Sequence, residues 1–406
     1  MNIWCISKYA QSPNYGNGFG ARLYYLARGF ARAGHATTLI TSDSNHFGEF
    51  PETGQTYNGE IREAGLKFIW IRTLKYSKTA SIRRILTWLD FEWKLFRLPR
   101  AQLGVPDYAI VSSLSIFTIF YGLYLKRKYK CFLVFEVRDI WPLTMTEEAG
   151  FSKYHPFVIL LGWIERLAYK RSDLIVGTMP RLDLHIEGVL GRPRPFFCSP
   201  IGFAKDAIQK PRPLSHDFMQ EYFTSNKIIV GYAGSIGITN ALDSFMDCIS
   251  MMQDDNRVQF VIVGSGDLKE SYQEKLNRCK NVSFAPRIPK DSIPDFLSRC
   301  DILYLSVHDS RVWDYGQSMN KVVDYMLSGK PIVASYSGYM SMINEADCGI
   351  IVPAYDSSAI KQSLETMAEM PRARRISMGK RGREFILKHR EYDTLAREYL
   401  NRLAEF

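Results

Sequence analysis

The sequence predicts an α/β fold made of two domains, each a doubly wound parallel sheet. Three observations carry this. The chain has 406 residues, 46% of them hydrophobic and 23% charged, the composition of an ordinary globular protein and enough for two cores. Short runs rich in Val and Ile alternate with helical stretches from end to end. A proline-rich break splits that rhythm in the middle.

In the first half the runs are Ile3 to Ile6, Thr37 to Thr41, Phe68 to Ile71, Ala109 to Val111, Phe132 to Val137 and Leu174 to Val176. Prolines at 193, 195, 200, 211 and 213 then surround Ile201-Gly202-Phe203, where no helical period survives and a linker is expected. The rhythm restarts with Ile228 to Tyr232, Val258 to Val263, Val282 to Phe284, Ile302 to Leu305 and Pro331 to Ala334. The expected domains are 1–200 and 201–385, with a closing helix over 386–406 that packs back on the first domain. Sheets of this kind hold ligands at the carboxyl ends of their strands, so the site is expected in a cleft where the two domains face each other.

Tyr108 to Leu125 carries no charge and precedes Lys126-Arg127-Lys128, which raises a membrane span. Ser112-Ser113 divides it into a β-branched piece and an aromatic-rich piece, which suits a buried strand and a packed helix instead. The start, Met1-Asn2-Ile3-Trp4, lacks the basic and apolar regions of a secretory signal. The 7 cysteines are scattered, without the close pairs of zinc or redox motifs, which points to a reduced, cytoplasmic chain.

A formal charge of +10 calls for anionic partners. From Lys67 to Arg100, basic residues that include Arg83, Arg84, Lys94, Arg97 and Arg100 alternate with Trp70, Trp88, Phe91, Trp93 and Phe96. Such an element either lies on an anionic membrane surface or is a solvated helix with an aromatic core face. Nucleic acid is not expected as a partner.

Four motifs carry candidate chemistry. Gly16-Asn17-Gly18-Phe19-Gly20 follows the first strand, and its N–H groups suit an acceptor or a phosphate. Its spacing is not that of a dinucleotide fingerprint, and no acidic residue ends the second strand, which argues against a dehydrogenase. Gly231 to Asn240, with Gly234, Ser235, Gly237 and Asn240, forms a second glycine loop suited to a diphosphate. Val263-Gly264-Ser265-Gly266-Asp267-Leu268-Lys269 puts a lysine on the first turn of the next helix. Gly316 to Pro331 reads as a helix that closes on Gly329-Lys330-Pro331 and carries Ser318, Asn320, Lys321 and Asp324 near its start.

With these loops and the closing Ser328-Gly329-Lys330-Pro331, the chain resembles glycosyltransferase family 4, whose members have the GT-B fold of two Rossmann-like domains. Glu136-Val137-Arg138-Asp139-Ile140-Trp141-Pro142 resembles a segment of the bacterial polysaccharide branch that includes N-acetylfucosamine transferases, and Ser318-Met319-Asn320-Lys321 fits the same branch. The resemblance implies that Asp324 holds the donor ribose, that Lys269 and Lys321 neutralise its diphosphate, and that transfer retains anomeric configuration without a metal or further cofactor. Gly316 departs from the family, standing where the first Glu of a paired-Glu motif is expected, and Asp324 replaces the second.

Asp139, just past a strand end, is the candidate for orienting or deprotonating the acceptor hydroxyl, with Glu136 and Arg138 in support; the alternative is a turn or helix cap before Trp141-Pro142. His35 reads as a helix-end residue, and His308 lies near the donor loop. The function implied is transfer of an N-acetylated sugar from a UDP-sugar to a polyprenyl-diphosphate-linked oligosaccharide at the inner face of the plasma membrane, in O-antigen or capsule synthesis. A non-catalytic scaffold that binds nucleotide sugar and a GT-B epimerase remain as alternatives; no convincing carboxylate and histidine set supports the epimerase.

Overall fold

The computed structural model describes residues 1–13, 21–44, 53–63, 65–76, 82–208, 211–223 and 226–406. The glycine loop expected to hold the acceptor, with Gly16, Asn17, Gly18 and Gly20, lies outside the described residues. The chain forms two compact units: Met1–Pro200 with Tyr392–Phe406, and Ile201–Glu391.

Unit 1 runs through β1 (Asn2–Ile6), α1 (Arg22–Arg32), β2 (Ala36–Ser42), β3 (Tyr57–Glu63), β4 (Leu66–Ile71), α2 (Ile82–Phe96) and β5 (Tyr108–Ser112). It continues with α3 (Thr118–Tyr129), β6 (Phe132–Val137), α4 (Leu143–Glu147), α5 (Pro156–Arg171), β7 (Leu174–Gly177), α6 (Leu182–Leu190) and β8 (Phe196–Cys198). The sheet order is β3-β4-β2-β1-β5-β6-β7-β8, parallel except for β3. Strand order reverses at β1, so the carboxyl end of β1 lies at the switch point where such sheets hold ligands. Right-handed crossovers put α2, α3 and α5 together on one face and α1 on the other.

Unit 2 contains α7 (His216–Tyr222), β9 (Ile228–Ala233), α8 (Asp243–Met251), β10 (Val258–Val263), α9 (Lys269–Lys275), β11 (Val282–Ala285) and α10 (Ile293–Arg299). Then come β12 (Ile302–Ser306), α11 (Asn320–Leu327), β13 (Ile332–Ser335), α12 (Met342–Glu345), β14 (Gly349–Val352), α13 (Ser357–Glu369) and α14 (Arg372–His389). Its six-stranded sheet, β11-β10-β9-β12-β13-β14, is parallel throughout and switches at β9. Gly329, at φ +72°, closes α11 before β13 begins.

Tyr108 to Leu125 divides at the two serines: β5 ends at Ser112, whose hydroxyl accepts from Leu114 N–H, and one helical turn leads into α3. No helix among the described residues is long and apolar enough to cross a membrane. The glycine loop after β9 ends in a single turn over Ile238–Asn240, with Ala241 left-handed and α8 beginning at Asp243.

The C-terminal piece differs from the expectation. α14 continues to His389, with Ile386 buried in the core of unit 2, so 386–391 stay with that unit. Only α15 (Tyr392–Ala404) and the last residues join unit 1, where α15 packs along α1. Gly29 permits that approach, since a Cβ there would lie 2.4 Å from the Cβ of Ala396. The rings of Tyr25 and Tyr392 stack at 5.1 Å beside it.

Candidate functional site

In unit 2 the loops after β9 and β10 are laced together. Gly234 N–H donates to Val263 O at 3.0 Å and Ile236 N–H to Ser265 O at 3.0 Å. Side chains are excluded at the contact: a Cβ on Gly264 would lie 1.9 Å from Gly234 O, and one on Gly266 2.1 Å from Ile236 O. At Gly237 the near atom is a side-chain end instead, Asp267 Oδ1 at 2.9 Å from its Cβ position, which can move aside. Gly264 and Gly266 allow two strand ends to touch through backbone alone.

Lys321, in the first turn of α11, reaches this loop. Its Nζ donates to Tyr232 Oη at 3.0 Å and to Asn240 Oδ1 at 2.8 Å, and lies 4.4 Å from the Tyr232 ring centroid. A Cβ on Gly234 would sit 2.8 Å from this ammonium. The side chain is half-buried, and desolvation pulls its pKa down to about 7. These hydrogen-bond partners are neutral oxygens, so a bound anion would supply the missing counter-charge.

Around Lys321, the first turn of α11 has no side-chain cap, which leaves backbone N–H groups for an anion. Asn320 is exposed there, and Asp324 is exposed one turn on. Surrounding protein pushes the Asp324 carboxyl up to about 6 while the Lys290 ammonium works against that, so the accessible group is ionised at neutral pH. Ser235 O accepts from Tyr232 Oη at 2.7 Å, and Asn240 O accepts from Ser306 Oγ at 2.7 Å. His308 braces the same turn through Ile238 O and the Tyr355 hydroxyl.

Two predicted donor residues are engaged inside the unit. Lys269 Nζ donates to Ala285 O at 2.8 Å and Gly264 O at 3.2 Å, so its charge braces two strand ends. Ser318 Oγ accepts from Ile201 N–H at 2.9 Å, tying the start of the unit to the approach to α11. Gly316 has φ +109° and ψ 176°, a conformation essentially restricted to glycine, which accounts for the departure from glutamate there.

In unit 1, Ser113 organises the segment after β6. Its Oγ accepts from Arg138 N–H at 2.9 Å and from Asp139 N–H at 3.3 Å, and donates to Asp139 O at 3.2 Å. Trp141 Nε1 donates to Ser113 O at 3.0 Å. α4 starts after Pro142 without any side-chain cap, so Asp139 does not cap it. The Asp139 carboxyl is half-buried and raised by desolvation, with Arg138 and Arg84 opposing the shift. Glu136 plays a different part: its Oε1 pairs with Arg22 Nη1 at 2.7 Å, both side chains buried. Arg22 Nη2 also donates to Ser199 Oγ at 2.9 Å, and Nε to Pro200 O at 3.3 Å, so one guanidinium clamps α1, β6 and the end of the unit.

Sequence reasoning missed Arg22, Tyr232 and Tyr325, whose Oη lies 3.1 Å from Ala233 N–H. Tyr232 stands inside the quoted glycine motif, and that adjacency was the available signal.

Residues 227–370 match the family model described as glycosyl transferases group 1. The chain is similar in structure to sucrose-phosphate synthase from Thermosynechococcus elongatus, with TM-score 0.73 and 15% identity over 99% of this chain and 98% of that one. It is similar to a trehalose-6-phosphate protein from E. coli bound with UDP-2-fluoro glucose, with TM-score 0.71 and 12% identity over 100% and 99% of the chains. A third is WaaG, a glycosyltransferase involved in lipopolysaccharide biosynthesis, with TM-score 0.65 and 15% identity over 98% of each chain. A search of curated protein sequences finds no match. The fold is GT-B, and the chain is a glycosyltransferase.

Proposed function

We propose that this glycosyltransferase moves an N-acetylated sugar from a UDP-sugar to a polyprenyl-diphosphate-linked oligosaccharide in bacterial O-antigen or capsule synthesis, as in the polysaccharide branch of family 4 that it resembles. The observation that carries the donor half is Lys321, a desolvated ammonium on neutral oxygens beside a backbone cradle and an uncapped helix start. A nucleotide diphosphate satisfies all three at once. UDP as the nucleotide draws support from the similar structure bound with UDP-2-fluoro glucose.

In the reaction the acceptor hydroxyl oxygen bonds to the anomeric carbon, the bond from that carbon to the diphosphate breaks, and UDP leaves with the bonding electrons. Charge grows on the departing diphosphate, where Lys321, the loop N–H groups and the α11 start stabilise it. Asp139 orients the acceptor hydroxyl and takes its proton; its raised pKa brings it toward the operating range of a base. Arg138 and the loop of Gly16, Asn17, Gly18 and Gly20 contact the acceptor. Transfer retains configuration and uses no metal or cofactor, and the enzyme works at the inner face of the plasma membrane.

Incubation with UDP-sugars and a detergent-solubilised polyprenyl-diphosphate oligosaccharide tests this. UDP release and acceptor extension are expected, with Asp139→Asn slowing both by about 10²–10⁴-fold while UDP still binds. Because Gly316 replaces a family carboxylate, a non-catalytic scaffold is the specific rival. UDP binding with no turnover on any acceptor would select it.

A further inference from the structure

α2 is apolar on two sides. Thr87, Trp88, Phe91 and Leu95 are buried, as one face of an amphipathic helix should be. Leu86, Leu89, Trp93 and Phe96 repeat at the same helical spacing on the outside, where Trp93 is 60% exposed and Leu89 53%. A solvated outer face calls for polar residues, so this stripe needs an explanation.

The stripe continues across the helical layer. The Phe96 ring meets Tyr121 of α3 at 5.2 Å, and Phe120 of α3 meets Trp163 of α5 at 6.3 Å. On α5 the residues Ile159, Leu160 and Trp163 are exposed, Trp163 at 56%, and Arg166 and Lys170 follow on the same side. Cations sit against an exposed ring and a half-buried one. Arg97 lies 4.2 Å over Trp93, Arg100 lies 5.2 Å over Tyr124, and Lys128 lies 5.6 Å over Tyr124.

We infer that the outer face of α2, α3 and α5 is the surface by which the enzyme lies on an anionic lipid bilayer. Exposed Trp, Leu and Ile enter the headgroup boundary, and flanking Arg and Lys meet the lipid phosphates, the division of labour of an interfacial helix. A water-facing protein partner would not call for cations over an exposed tryptophan of α2 and over a tyrosine of α3, whereas a negatively charged, amphipathic surface matches both. The inner side of α2 also fits this placement. Trp88 Nε1 donates to Tyr9 Oη and Glu92 accepts from Thr118 at 2.6 Å, beside the carboxyl end of β1, so the helix that touches lipid also borders the switch point of unit 1. The proposal deepens the reading of a lipid-borne acceptor and rests on it for that link.

Flotation of the full chain with sealed vesicles of phosphatidylglycerol and phosphatidylcholine in equal parts, against phosphatidylcholine alone, tests it. Binding to the anionic vesicles that weakens with salt is expected. Leu89→Asp with Trp93→Asp should weaken it at least tenfold, as should Trp163→Asp, and Arg97→Ala about fivefold. Unchanged UDP affinity and melting temperature in these variants verify the fold. Flotation equal in wild type and variants, or none at all, would overturn the proposal. So would a wild-type dimer that the variants abolish, since a second copy would then cover the face. Transfer to solubilised acceptor by the wild type separates the two readings: no wild-type flotation with transfer intact sinks only the membrane face, and wild-type flotation without any transfer sinks only the acceptor assignment.

Discussion

Two lysines stand at the switch points of the two units, Lys8 just past β1 and Lys321 against β9. Each meets a tyrosine ring, and desolvation pulls each down to about 7. Their surroundings differ. Lys8 is 0% exposed, donates to Ser44 O at 2.8 Å, lies between the rings of Tyr9 and Tyr76, and has Asp43 close enough to favour its charge. Lys321 is half-buried, and burial is the cause of its shift. A depressed lysine therefore does not by itself mark a site. What marks one is a desolvated charge left open on one side, held by neutral oxygens.

On the proposed function, the Arg22–Glu136 pair of unit 1 holds that unit together, whereas Lys321 of unit 2 is kept for a ligand. The sharpest way to break that is Arg22→Ala, which leaves Glu136 charged and buried; about 3–5 kcal/mol of stability should be lost, read by denaturant unfolding. A loss near zero would mean that the clamp is not structural.

Truncating the two lysines should separate them cleanly. Lys8→Ala strands the Ser44 carbonyl and a packed stem, costing about 2–3 kcal/mol of stability with UDP affinity unchanged. Lys321→Ala should barely move the melting temperature yet weaken UDP binding by about 2 kcal/mol, the scale of a lost charged hydrogen bond. Similar stability losses in both would erase the distinction.

Gly316→Glu sharpens the account of the missing carboxylate. At φ +109° a side chain should cost about 1–3 kcal/mol of stability, and no gain of activity is expected. Higher activity in this variant would show that the glycine is not held there by its backbone.

A further effect comes with pH. Both lysines have folded pKa values below the unfolded value, so the unfolded chain binds more protons from about pH 7 to 10. Stability should therefore rise with pH through that window, and the Lys321→Ala chain should show a shallower slope in chemical denaturation.

Much of this was legible because glycine loops that follow strand ends leave a trace in the sequence itself. Gly234, Gly264 and Gly266 were readable as a backbone cradle, and Lys321 as its cation, since each lies within a short quoted motif. The partners were not readable, because Arg22 meets Glu136 across 114 positions and Lys321 meets Tyr232 across 89. Lys269 looked free from spacing alone, which cannot show the carbonyls of Gly264 and Ala285 that occupy it. β3, β8 and β14 went unread: β3 carries Asn58, Glu60 and Arg62 among its residues, and β8 and β14 span 3 and 4 residues. The step from unit 2 back to unit 1 at Glu391 has no glycine or proline to announce it.

Lys321 is proposed to hold the donor diphosphate as an ammonium. Calorimetric titration of UDP into wild type and Lys321→Ala at pH 7 and pH 9 tests it most directly. Wild-type affinity should fall with rising pH, by up to about tenfold per unit as the free lysine loses its proton, while the variant binds more weakly and without that dependence. Equal affinity in the two proteins at pH 7, or the same pH profile in both, would contradict the account.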